Sequence, residues 1–110
     1  MEVTTRTDKN QDMKTTFYIE LNMKTIGGFE RFGCLDLGDN RGFAVSLFSS
    51  LEGRPAKGDE GVLHMDLVEK YRGLPVNMQV ISCTIEELCR NVRTITRELF
   101  RSINLDEMPA

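Results

Sequence analysis

Residues 17–24, FYIELNMK, alternate apolar and polar without a break. Phe17, Ile19, Leu21 and Met23 fall on one face, and Tyr18, Glu20, Asn22 and Lys24 on the other. A period of two over eight residues predicts a half-buried strand. After TIGG, the stretch FERFGCLDL reads as a second strand. A two-residue hairpin turn at Ile26-Gly27 or Gly27-Gly28 puts Phe32 and Cys34 on the face of Ile19 and Leu21 in either register. The period then changes. Phe43, Ala44, Leu47, Phe48 and Leu51 follow helical spacing, with Asp39 or Asn40 as the cap and Gly53 as the stop. RPAKGDEG, residues 54–61, reads as a surface loop.

VLHMDLVEK and PVNMQVISC flank Arg72-Gly73 and predict a second hairpin. The register about that turn opposes Leu63 to Ser82, Met65 to Val80 and Leu67 to Met78 on the inner face. On the outer face it opposes His64 to Ile81, Asp66 to Gln79 and Val68 to Asn77. The last element, from TIEEL onwards, opens with Thr84 and Glu87 at capping-box spacing. Ile85, Leu88, Val92, Ile95, Leu99 and Ile103 form its apolar stripe, with Cys89 and Thr96 at one margin.

The expected fold is α+β: a two-layer sandwich of order ββαββα, an antiparallel sheet with both helices on one face and the other face open. If residues 29–37 form a loop instead, the order shrinks to βαββα, which resembles a truncated ferredoxin-like sandwich. Residues 1–14 mix charge and polarity without period and read as a flexible tail. Residues 15–105 make a single domain, and residues 106–110 are expected to fray.

Composition narrows the chemistry. The chain has 110 residues, 40% of them hydrophobic, and a net charge of −3, too small to imply a partner by itself. No apolar run approaches the ~20 residues of a membrane span. Residues 1–14 carry no apolar stretch of the kind a secretory signal needs, so a cytoplasmic setting is expected. Cys34, Cys83 and Cys89 have no zinc-type spacing, and His64 is the one histidine, so neither a metal nor a cofactor is expected.

TIGGFERFGCLDLGDNRG holds five glycines in residues 25–42 and invites comparison with phosphate-binding loops. Gly28 and Gly33 have Walker spacing, but Cys34 and Leu35 stand where the lysine and the hydroxyl are needed. No G-x-G of a dinucleotide fingerprint occurs. The glycines read as turns, a bulge or close approach at Gly33, and the entry to a helix.

Three constellations compete for function. Tyr18, Glu20, His64, Asp66, Val68, Asn77, Gln79 and Ile81 share the expected outer face, where the apolar Val68 and Ile81 invite a covering partner. A His64–Asp66 pair two residues apart could orient a general base, but the spacing of ~7 Å along a strand and a flat surface argue against it. Arg90, Arg93, Arg97 and Arg101 form a ridge spanning about 80° of the last helix. It could bind an anion or nucleic-acid phosphates, or simply solvate the helix through Glu86–Arg90 and Glu98–Arg101 pairs. Cys83, just ahead of that helix, could feel its dipole, but Cys83 and Cys89 have no redox spacing. With no complete catalytic set, the expected function is a non-enzymatic interaction module that self-associates or docks a protein through the outer face. The alternative is an anion- or nucleic-acid-binding module using the arginine ridge.

Overall fold

The computed structural model describes residues 14–57 and 61–107, with side chains as far as Ile103. Strands β1 (Thr15–Thr25) and β2 (Gly28–Gly38) are followed by helix α1 (Arg41–Ser49). Next come the short β3 (Arg54–Pro55), strands β4 (Leu63–Tyr71) and β5 (Leu74–Cys83), and helix α2 (Ile85–Glu107). One five-stranded antiparallel sheet results, in the order β2-β1-β4-β5-β3. Residues 29–37 belong to a strand, so the shorter βαββα order does not arise. The expected surface loop at residues 54–61 instead begins with β3, which adds a short edge to β5.

Local chemistry explains where the elements start and stop. Asn40 caps α1, its side-chain oxygen accepting from the Phe43 N–H at 2.9 Å. The helix ends before Gly53, at Ser50, whose N–H and hydroxyl both donate to the Leu47 carbonyl. Thr84 and Glu87 close a reciprocal capping box. The Thr84 N–H donates to Glu87 Oε1 at 2.9 Å, and the Glu87 N–H to Thr84 Oγ1 at 3.1 Å. Helix α2 runs to Glu107, so it continues into the residues expected to fray. Of the expected N-terminal tail, all but Lys14 lies outside the described residues, as do residues 108–110.

The core lies between the sheet and the two helices. Phe17, Ile19, Leu21, Met65 and Leu67 from the central strands meet Ala44, Leu47 and Phe48 of α1 and Ile95 of α2. Burying these side chains supplies the main drive to fold, at ~1.5–3 kcal/mol for each large one. Both helices therefore cover one face of the sheet.

Each hairpin starts in an expected register and then shifts. Beside the Ile26-Gly27 turn, Met23 opposes Glu30 and Asn22 opposes Arg31. Phe32 is then an extra residue, so Leu21 opposes Gly33 and Glu20 opposes Cys34. Cys34 was expected on the inner face, and the bulge moves it to the outer one. Gly33 suits its place, since a Cβ there would lie 3.0 Å from Leu21 Cδ1. In the second hairpin Val68 opposes Asn77 as expected. Met78 is then the extra residue, which opposes Gln79 to Leu67, Val80 to Asp66, Ile81 to Met65 and Ser82 to His64. Gln79 and Ile81 therefore leave the outer face assigned to them. Val80 and Ser82 take their places, and Ile81 packs against the core.

Helix α2 rolls away from its apolar stripe. Its packing line runs through Leu88, Asn91, Ile95 and Leu99, leaving Ile85 67% and Ile103 55% exposed. The cause is Asn91, only 1% exposed. Its Oδ1 accepts from the Glu52 N–H, and its Nδ2 donates to the Glu52 carbonyl, both at 2.8 Å. The Nδ2 also lies 3.3 Å from Met65 Sδ. A side-chain amide pairing both groups of one peptide backbone fixes α2 against the segment that follows α1.

Candidate functional site

On the outer face, the expected cluster gathers over the central strands. Tyr18 and Glu20 of β1 stand beside Val68 and Asp66 of β4, and Asn77 of β5 completes the row. This face is less open than expected over β4, where His64, Asp66 and Val68 are all buried. A central strand has neighbours on both sides, and here a side chain of β2 reaches across β1 to it as well. The Phe29 ring stacks on His64 with centroids 4.1 Å apart and 23° between planes. Val68 sits in register between Tyr18 and Asn77.

Asp66 is the buried carboxylate of this cluster. Its Oδ2 accepts from Asn77 Nδ2 at 3.1 Å, while Oδ1 has no hydrogen-bond partner among the described residues. Burial pushes its carboxyl above the ordinary value, Glu20 adds to the rise, and nearby Asn22, His64 and Asn77 oppose it. The phenol of Tyr18 is also pushed up, first by partial burial and then by Glu20. Arg31 reaches Glu20 from β2 at 3.4 Å. The cluster thus uses its polar groups on one another across the strands. Among the described residues no three His, Cys, Asp or Glu side chains converge as a metal site.

The arginine ridge is largely matched by carboxylates. Arg90 holds Glu52 with two nitrogens, Nε at 3.0 Å and Nη2 at 2.8 Å, so its partner comes from the loop after α1 and not from Glu86. That contact holds the Glu52 carboxyl below its usual value. Arg101 meets Glu98 at 3.2 Å as the helical spacing predicts, and Arg97 approaches the same carboxylate at 3.7 Å. Arg93 makes no ion pair among the described residues.

Sequence patterning missed a third surface, on the helix side of the sheet. Met23, Phe32, Val62, Ile85 and Leu88 line an apolar groove of about 630 Å³ between the first hairpin and the start of α2. Phe32 is 46% and Val62 60% exposed. A second hollow, of about 510 Å³, lies between Asp36–Asn40 and the far end of α2, where Leu99 and Ile103 line it. Each hollow has β2 residues on one wall and α2 residues on the other, with Ile85 and Leu88 lining the first and Leu99 and Ile103 the second. Strand β2 is itself an edge of the sheet. The apolar stripe of α2 was legible in its spacing, but a roll that leaves part of it uncovered was not.

The thiols differ in character. Cys34 and Cys89 are exposed and Cys83 is buried, and all three are free. Burial pushes the Cys83 thiol up to about 11, with Glu87 adding to the rise. No helix among the described residues is long and apolar enough to cross a membrane.

No family model, curated protein or solved structure matches the chain.

Proposed function

We propose that this protein is a small non-enzymatic interaction module that docks a protein partner along β2 and the flank of α2 beside it. The observation that carries the reading is the apolar groove in which Phe32, Val62 and Ile85 meet, each about half or more exposed. Large apolar side chains clustered in a groove and rimmed by polar groups mark a contact surface. The outer face supports this role less well. Val68 is already buried there, and Ile81 lies on the helix side. Anion or nucleic-acid binding by the ridge is also less favoured, since Arg90, Arg97 and Arg101 each meet a carboxylate. A cytoplasmic setting with reduced thiols fits three free cysteines and belongs to the same reading.

Photo-crosslinking in cells tests it. A benzophenone amino acid placed at Ile85 or Val62 should give discrete protein adducts, and one placed at Arg93 should not. Absence of adducts from both groove positions would overturn the proposal.

A further inference from the structure

We infer that the partner is a second copy of this chain, joined edge to edge through β2 so that two five-stranded sheets become one. The inference rests on the interaction reading above and adds the identity and register of the partner.

The two edges of the sheet are built differently. At the β3 end, Pro55 lies in the outermost strand and Pro75 in β5, and proline removes a backbone donor from a strand edge. Strand β2, GFERFGCLDLG, is 11 residues long and contains neither proline nor lysine. At ~3.3 Å per residue it offers about 36 Å of edge, with backbone groups on its outer side free to pair. Edge strands are blunted by charge, bulges or proline; β2 carries charge at Glu30, Arg31 and Asp36 and bulges along its length but no proline, so its backbone donors remain able to take a further strand.

A second β2 fits this edge in one antiparallel register about a two-fold axis. The bulge sets the faces: Arg31, Cys34 and Asp36 point outward, opposite Asn22, Glu20 and Tyr18 of β1. Gly33 and Leu35 point to the helix side, opposite Leu21 and Ile19, and Phe32 joins them in the groove. With the axis at Cys34, that residue faces the partner's Cys34. Leu35 meets the partner's Gly33 and Phe32, two residues against one, as a bulge requires. Arg31 then opposes the partner's Asp36. Every pair shares a face, and symmetry makes each favourable contact twice. The guanidinium, already 3.4 Å from Glu20, would lie between two carboxylates. On the helix side, the α2 flanks carrying Ile85 and Ile103 turn toward each other above the joined strands, covering apolar surface that one chain leaves in water.

Two measurements test this. Light scattering during size exclusion should give twice the 12.5 kDa chain mass. Mild diamide oxidation should link the dimer covalently in the native protein and in Cys89→Ser, but not in Cys34→Ser. Arg31→Asp and Asp36→Arg should each weaken association about tenfold or more, and the double exchange should restore it, because only the pairing of opposite charges is preserved. Far-UV circular dichroism checks that the variants fold, and linkage through Cys34 needs no variant of the interface charges. A monomer at roughly 100 µM, a concentration at which even a micromolar dimer would be assembled, overturns the inference. A dimer that neither links through Cys34 nor recovers in the double exchange overturns it too. In either case, groove adducts of some other mass would leave the interaction reading standing, and absence of groove adducts would remove both.

Discussion

The roll of α2 exposes the flank on which the proposed contact depends, and Asn91 sets that roll. Replacing Asn91 with leucine keeps a side chain of similar size but removes both bonds to the Glu52 backbone. Two net hydrogen bonds contribute ~1 kcal/mol each, and a partner left buried without water would raise the cost of each to as much as ~3 kcal/mol. The Glu52 backbone lies in a loop that water can reach, so the lower end applies. The expected loss is about 2 kcal/mol, which lowers Tm by roughly 8–16 °C in a domain of this size. Urea unfolding followed by far-UV circular dichroism should show the midpoint falling with little change in slope. Asn91→Asp sharpens the test. The introduced carboxylate still accepts from the Glu52 N–H, but at neutral pH it faces the Glu52 carbonyl without a proton to donate. Its folded-state pKa is raised by that setting, so stability should recover as pH falls and the carboxyl regains its proton. A loss below ~0.5 kcal/mol for Asn91→Leu would refute the idea that this amide holds the helix.

Asp66→Asn should raise stability at pH 7, because burial lifts the Asp66 pKa above its unfolded value and ionisation therefore opposes folding. The native protein recovers that stability as pH falls through the folded pKa, so the advantage of the variant should vanish toward pH ~3.8. Urea midpoints across pH check this, and a pH-independent difference would contradict it. Gly53→Ala should cost more than Gly28→Ala by at least ~1 kcal/mol, since both have positive φ but only Gly53 is crowded. A Cβ at Gly53 would lie 2.9 Å from the Ser82 carbonyl, while one at Gly28 would meet nothing within 4 Å. Equal losses in thermal unfolding would refute the contact.

Much of the fold was written in local patterns. Alternation over FYIELNMK, the Arg72-Gly73 turn, the Asn40 cap and the Thr84–Glu87 box each depend on residues a few positions apart, and each stands in the structure. Arg72 and Gly73 both have positive φ, as a tight hairpin turn between twisted strands demands. The glycines of TIGGFERFGCLDLGDNRG likewise serve turns and close approach. The candidate site was harder to read. One extra residue at Phe32 reverses the parity of the residues up to a second shift at Leu37, and another at Met78 does so for the rest of β5, which moved Cys34 outward and Ile81 inward. Nothing in the alternation of either strand marks those positions, because both choices leave a similar pattern of apolar residues.

Sequence alone left β2, the first turn and the α1 cap open and read β3 as loop, but it determined the α+β class, both helices, three of the strands, the Arg72-Gly73 turn and the Thr84–Glu87 cap. Those follow from backbone preferences and periodicity within one segment. Tertiary structure decided which face each residue joined and how far α2 rolled. It also decided which edge of the sheet was left without a neighbour. These depend on how separate segments fit: Asn91 is an ordinary polar residue until the Glu52 backbone, 39 positions away, arrives to pair with it.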